Sequence, residues 1–216
     1  MKVLLLALAV VIAPPAHGDP GSFVRVEYSN PMLYPSQWTL TIHPDGSGHF
    51  HAEGGSRPQY EADALVPAKV DRDVNLSSVF TNRVFEEVRD PRILGGKCES
   101  HLKVAFQGTK KITYSGPDAQ GGCEFNYSKT KEIRDLGDSL VAVGATLIEG
   151  ARLELLLQHD PLGLDSATQY MVEASNDGRL QQICTIRDIL ERLEEDPHVL
   201  DRVRKRARIL LAGTDK

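Results

Sequence analysis

The hydrophobic period of this 216-residue chain changes once, near Ser128, and that change restricts the fold more than any motif does. Before it, apolar residues alternate with polar ones. Trp38, Leu40 and Ile42 are interleaved with Thr39, Thr41 and His43, the period of a half-buried strand, and Val24, Val26 and Tyr28 hint at an earlier one. Pro44-Asp45-Gly46-Ser47-Gly48 then turns the chain, and His49, His51 and Glu53 alternate with Phe50 and Ala52 on the return, which reads as a β-hairpin. Leu76, Val79, Phe80, Val84 and Val88 recur at helical spacing and stop before Asp90-Pro91, an amphipathic helix laid on the sheet. Leu102, Val104 and Phe106, a Gly108-Thr109 turn, then Ile112 and Tyr114 suggest a second hairpin. Cys123 to Tyr127 adds a further strand.

From Lys131 to Leu211 the apolar residues instead recur at three and four. Leu140, Val143, Leu147, Leu153 and Leu157 carry a long helical stretch with Gly144 and Gly150 as its weak points. Leu164, Ala167, Met171 and Ala174 mark a second helix, broken by Asn176-Asp177-Gly178. Ile183, Ile186, Leu190 and Leu193 mark a third, and Leu200, Val203, Ala207 and Leu210 a fourth. Asp160-Pro161-x-x-Leu164-Asp165 recurs as Asp196-Pro197-x-x-Leu200-Asp201, displaced by 36 residues. That offset is the scale of α-hairpin repeats such as HEAT pairs, and Pro suits the first turn of a following helix. Two ordinary helix starts that both use Asp-Pro explain the echo equally well.

The fold class is therefore α+β: a small antiparallel sheet of two hairpins with a covering helix, followed by an all-helical C-terminal segment of two helix pairs. Residues 19–130 form the β-rich part and residues 131–216 the helical one. At 41% hydrophobic and 25% charged the chain is ordinary globular material. Its formal charge of −5 argues against a general nucleic-acid binder, which needs a basic footprint.

Residues 1–18 read as a cleaved signal peptide. Lys2 precedes an unbroken apolar run from Val3 to Ala13, which ends in Pro14-Pro15 and the small-residue exit Ala16-His17-Gly18. No later run is long and apolar enough to span a bilayer. The expected location is periplasmic or secreted. In an oxidising compartment two of the three cysteines are expected to pair. Cys98 and Cys123 are the expected disulfide, each beside a Gly pair, with Cys184 a buried free thiol.

One candidate metal site stands out. His43 falls on the polar face of one strand of the first hairpin, and His49, His51 and Glu53 on the polar face of the other. Imidazoles and a carboxylate within cross-strand reach suit zinc or copper. A solvated polar sheet face accounts for the same residues. Ser128-x-x-Lys131 has the form used by some serine acyl enzymes, yet a Ser at that point also suits a helix cap. Glu86-Glu87 and Glu194-Glu195-Asp196 are adjacent on helices and do not face each other. Arg202, Arg204, Lys205, Arg206 and Arg208 complement neighbouring carboxylates and the helix dipole. Asn75-Leu-Ser and Asn126-Tyr-Ser match the N-glycosylation sequon. No cofactor motif or linear catalytic signature is present. The leading expectation is an exported, non-enzymatic module that binds a protein or envelope component through its helical half. A metal-binding protein and a hydrolase with a site assembled from distant residues are the alternatives.

Overall fold

A computed structural model describes residues 21–56 and 65–213, and the expected signal at 1–18 lies outside them. The alternating front half builds six strands: β1 (Phe23–Ser29), β2 (Gln37–Ile42), β3 (Ser47–Glu53), β4 (Val70–Asn75), β5 (Thr109–Ser115) and β6 (Gln120–Phe125). All are paired antiparallel into one sheet of order β4-β3-β2-β1-β5-β6. Helices α1 (Ser78–Glu87) and α2 (Pro91–Leu94) lie between β4 and β5. The helical half comprises α3 (Lys131–His159), α4 (Leu164–Asn176), a 3₁₀ turn (Ile183–Ile186), α5 (Arg187–Glu195) and α6 (Asp201–Ala212).

The first hairpin forms in the expected register, with Leu40 opposite Phe50 and Thr41 opposite His49. Its turn is closed by Asp45, whose carboxylate accepts the Ser47 N–H at 2.9 Å. The inward positions of β1, β2 and β3 bury Val24, Val26, Leu40, Ile42 and Phe50. Trp38 stacks on Tyr28 with ring centroids 5.3 Å apart.

The second hairpin differs from the sequence expectation. The strand from Ile112 and Tyr114 pairs with β6 across the Gly116–Ala119 turn, and its other edge is taken by β1. No edge of β5 is left for Leu102–Phe106. Gly108, at φ +99° with the Tyr28 ring against it, bends that segment away from the sheet. Residues 101–107 are exposed throughout.

One face of the sheet is covered by helices, and α3 does most of the covering. It runs unbroken through Gly144 and Gly150, so these are not weak points. A Cβ at Gly144 would lie 2.7 Å from Cε2 of Trp38, and one at Gly150 would lie 2.4 Å from Cγ2 of Ile186. The missing side chains let the helix close onto the sheet below it and onto the 3₁₀ turn beside it. Buried residues of both halves, from Val24 to Leu210, form a single contiguous hydrophobic cluster.

The two Asp-Pro pairs do end helices, since Asp160 and Asp196 follow α3 and α5 directly. Each Pro stands in the connecting turn and not in the first turn of the next helix, which starts at Leu164 or Asp201. Each Asp closes that turn by accepting a downstream N–H: Gly163 to Asp160 at 3.3 Å and His198 to Asp196 at 2.8 Å. The 29 residues of α3 and nine of α5 share the offset without sharing a length.

Candidate functional site

The sheet face turned away from the helices is polar except for Phe23 at the start of β1. Because alternate side chains leave a strand on opposite faces, the same register that buries Phe50 and Ala52 presents His49, His51 and Glu53. Strand β4 places Asp73 directly opposite His49 and Asp71 opposite His51. The five side chains form an unbroken alternation of carboxylate and imidazole. Asp73 Oδ1 stands 2.9 Å from His49 Nδ1, whose Nε2 is 3.3 Å from Asp71 Oδ1. Asp71 Oδ2 stands 2.8 Å from His51 Nδ1, whose Nε2 is 3.2 Å from Glu53 Oε2. Asp71 raises the pKa of His51, with Glu53 adding to it, and His51 in turn holds the Asp71 carboxyl below the usual range.

The expected quartet is thus only partly assembled. His49, His51 and Glu53 come together, whereas His43 lies past the end of β2 in the turn beside Asp45 and outside the ladder. Asp71 and Asp73 were not among the expected members, although Val70 and Val74 flanking two acidic residues are a short alternation. Among the described residues, no three His, Cys, Asp or Glu side chains converge on a point able to hold a metal ion as they stand. Beside the ladder the open face forms a shallow groove of about 500 Å³, bordered by Thr39, Glu27, Lys111 and Glu124. Lys111 reaches Glu27 at 2.6 Å, and that contact lowers the Glu27 pKa.

A second feature lies at the end of the sheet where β1 meets β5. Residues 101–107 leave Leu102, Val104 and Phe106 exposed, the last by 53%, on a segment held firmly at both ends. At its start, Cys98 and Cys123 stand at disulfide distance, with sulfurs 1.93 Å apart. Glu99 accepts the N–H groups of His101 at 3.0 Å and Asn126 at 2.7 Å. Burial pushes the Glu99 carboxyl up, but the Asn126, His101 and Ser100 N–H groups outweigh it and leave its pKa lowered. At the far end the Asn126 side chain accepts the Gln107 N–H at 2.7 Å and donates to the Ala105 carbonyl at 3.2 Å. The Tyr28 hydroxyl donates to the Gln107 carbonyl at 3.0 Å. Ser29 pairs with Thr109, so the β1–β2 connection, with Met32 77% and Leu33 49% exposed, leaves the sheet at this same end.

The other expected groups are engaged within the chain. Ser128 is buried, and its hydroxyl accepts the Thr130 N–H at 3.3 Å just ahead of α3. Arg202 and Arg206 both pair with Asp165 of α4, and Arg208 pairs with Glu194 at 2.8 Å. Charge complementarity therefore reaches across to α4 as well as to the preceding helix. Cys184 is half-buried, and burial pushes its thiol pKa up. No described helix is long and apolar enough to cross a membrane. Compared with known protein families and with characterised proteins, the chain matches none.

Proposed function

We propose that this chain is an exported, non-enzymatic binding module that engages a protein partner through residues 101–107. The observation that carries the reading is a strand-patterned run of seven exposed residues, pinned at both ends by Glu99, Asn126 and the Cys98–Cys123 pair. Exposed apolar side chains on a solvent-facing segment are costly unless something covers them. Anchoring restricts the segment before contact, so less conformational entropy is lost on binding.

The binding surface is placed here and not on the helical half. There, Leu162, Tyr170, Leu200 and Ile209 are spread over α4, α6 and the turns before them, and the basic residues of α6 are spent on internal ion pairs. The Lys2 to Gly18 pattern supports export, as does a cysteine pair suited to an oxidising compartment.

The test is capture by a photo-cross-linking side chain placed at Phe106 in the chain expressed with its own leader. A discrete adduct is expected, and Leu102→Ser/Val104→Ser should abolish it without lowering the melting temperature. Equal capture by both chains, or none by either, would refute the reading.

A further inference from the structure

The Asp73–His49–Asp71–His51–Glu53 ladder lies on the open sheet face, separate from the segment at 101–107, and does not depend on the reading above. It joins two strands that are held unequally. Strand β3 has β2 on its other side, whereas β4 ends the sheet and has β3 as its one strand neighbour among the described residues. Leu76 donates its N–H to the Gly46 carbonyl at 2.9 Å, and bonding alternates along an antiparallel pair. Arg72 and Val74 therefore carry the N–H groups that bond β4 to β3. On its inward side β4 contributes Val70, Val74 and an Arg72–Asp188 ion pair at 2.9 Å. On its outward side it contributes Asp71 and Asp73, set against the two imidazoles.

All four ring nitrogens of His49 and His51 face carboxylate oxygens, at 2.8 to 3.3 Å. A neutral imidazole carries one N–H and one bare nitrogen, whereas an imidazolium donates from both. Each neutral ring therefore turns a lone pair toward an anionic oxygen. The protonated ladder instead alternates in sign from end to end. Its other neighbours do not offset that change. Lys69, with Nζ 3.6 Å from Asp71 Oδ2, adds one charge at the rim. Gln37, Thr39 and Thr41 of β2 are uncharged, and behind them Glu27 and Arg25 of β1 stand opposite Thr39 and Thr41. Beyond the edge, Glu154 of α3 and Asp188 of α5 are paired with Arg192 and Arg72.

We infer that the ladder is an acid-tightened clasp on the sheet edge, which fastens β4 to β3 while His49 and His51 are protonated and slackens as they lose their protons. Asp71, with Glu53 adding to it, raises the pKa of His51 from its ordinary 6.5. A base raised on folding adds stability that is fully present below its unfolded pKa and is lost as pH rises through its folded one. Asp71 is lowered from 3.8 by His51, so its share is present above that value and lost as acid protonates it. The clasp is closed between pH 3.8 and 6.5 and opens above that window. Its members are solvent-exposed, so the effect falls on the local hold of β4 and not on global unfolding.

The experiment is amide hydrogen exchange of the folded chain, followed residue by residue by NMR between pH ~5 and ~8 and corrected for the intrinsic effect of pH on exchange. Protection at Arg72 and Val74 is expected to fall about threefold to tenfold across that range. Val26 of β1, in the middle of the sheet, should show no such fall. His49→Gln/His51→Gln should give the same low protection at both ends of the range. Asp71→Asn, with its fold checked by circular dichroism, should shrink the fall. Leu102→Ser/Val104→Ser should leave it intact, so failure here and failure of the 101–107 reading are told apart. The inference is overturned by protection at Arg72 and Val74 that is independent of pH or rises with it. It is equally overturned by a fall that persists in the double histidine variant or that Val26 shares.

Discussion

A tight contact between the helices and the sheet that one methyl group can probe is Gly144 of α3 against Trp38 of β2. Helix propensity alone favours Ala over Gly in a helix interior by about 1 kcal/mol, so an unobstructed Gly144→Ala would stabilise the chain. The position is obstructed. The new Cβ would stand 2.7 Å from Cε2 and 2.8 Å from Cζ2 of the indole, against about 3.5–4.0 Å for carbon atoms at rest. Trp38 is 5% exposed and packed between Tyr28 and Phe50, so its ring has little room to retreat. Forcing a methyl into a filled core costs about 1–3 kcal/mol. With the propensity gain set against it, Gly144→Ala should fail to stabilise the chain and should destabilise it by up to about 2 kcal/mol. Urea unfolding gives the free energy, and emission of Trp38, the only tryptophan, reports the displacement. In a Trp38→Phe background the obstructing indole atoms are gone and the same substitution should stabilise the chain by up to about 1 kcal/mol, followed by far-UV circular dichroism. A stabilised Gly144→Ala with unchanged emission would show that helix and sheet are not pressed together there.

Three further outcomes are expected. Hydrogen bonds from the Tyr114 hydroxyl and from Arg89 hold Asp118 down from 3.8 to about 2. A carboxyl lowered on folding adds stability that is present above its unfolded pKa and lost as pH falls through its folded one. Asp118→Asn should therefore flatten the fall of the urea midpoint between pH 3.8 and about 2; an unaltered slope would contradict this. Lys110 is buried on the helix-facing side of β5, paired with the half-exposed Asp138 at 3.3 Å and lying beside the Phe125 ring. Asp138→Ala removes the counter-charge, leaving the ammonium its 3.4 Å contact with the Asn126 carbonyl, and should cost about 1–3 kcal/mol. Lys110→Met removes the ammonium and should be nearly neutral in the same melts. Opening the Cys98–Cys123 pair releases a closure of 25 residues, worth about 3 kcal/mol in the chain-entropy picture. Like Asn126→Ala, it should also speed tryptic cleavage after Lys103. Equal cleavage rates before and after would mean the anchors do not hold the segment.

Much of this fold was legible in local pattern, and the failures have physical causes. Alternation at Trp38–Ile42 and Phe50–Ala52 was readable because every inward position there is apolar. Strand β4 was not, because its central inward position is Arg72, whose guanidinium turns away to Asp188 of α5 at 2.9 Å. An apolar count therefore sees only Val70 and Val74. Losing β4 meant losing Asp71 and Asp73, so the candidate site was named from the first hairpin alone. His43 shares the alternation of Thr39 and Thr41, but the strand stops at Ile42 and periodicity carries no information past a strand's end. In α3 the glycines were misread for the opposite reason. Propensity registers the missing side chain but not the Trp38 and Ile186 groups that need its absence.

The segment Leu102–Phe106 presents the sharpest conflict between local and global signals. Its alternation of apolar residues with Lys103 and Ala105 is that of a strand, yet both edges of β5 are filled and Gly108 turns it aside. A chain under no other constraint would have no reason to keep Leu102, Val104 and Phe106 at positions where each meets water. Nor would it need to fix both flanks, when a slack polar loop would connect α2 to β5 as well. Disagreement between local preference and tertiary placement is most common where a surface has work to do beyond folding. The Glu99 and Asn126 anchors show that the exposed conformation is held and is not merely left over. The held conformation is not that of a strand: His101 takes a left-handed φ of +55° and the Val104 N–H donates to the Leu102 carbonyl at 3.0 Å, so what the segment exposes is the Leu102, Val104 and Phe106 side chains rather than a free strand edge.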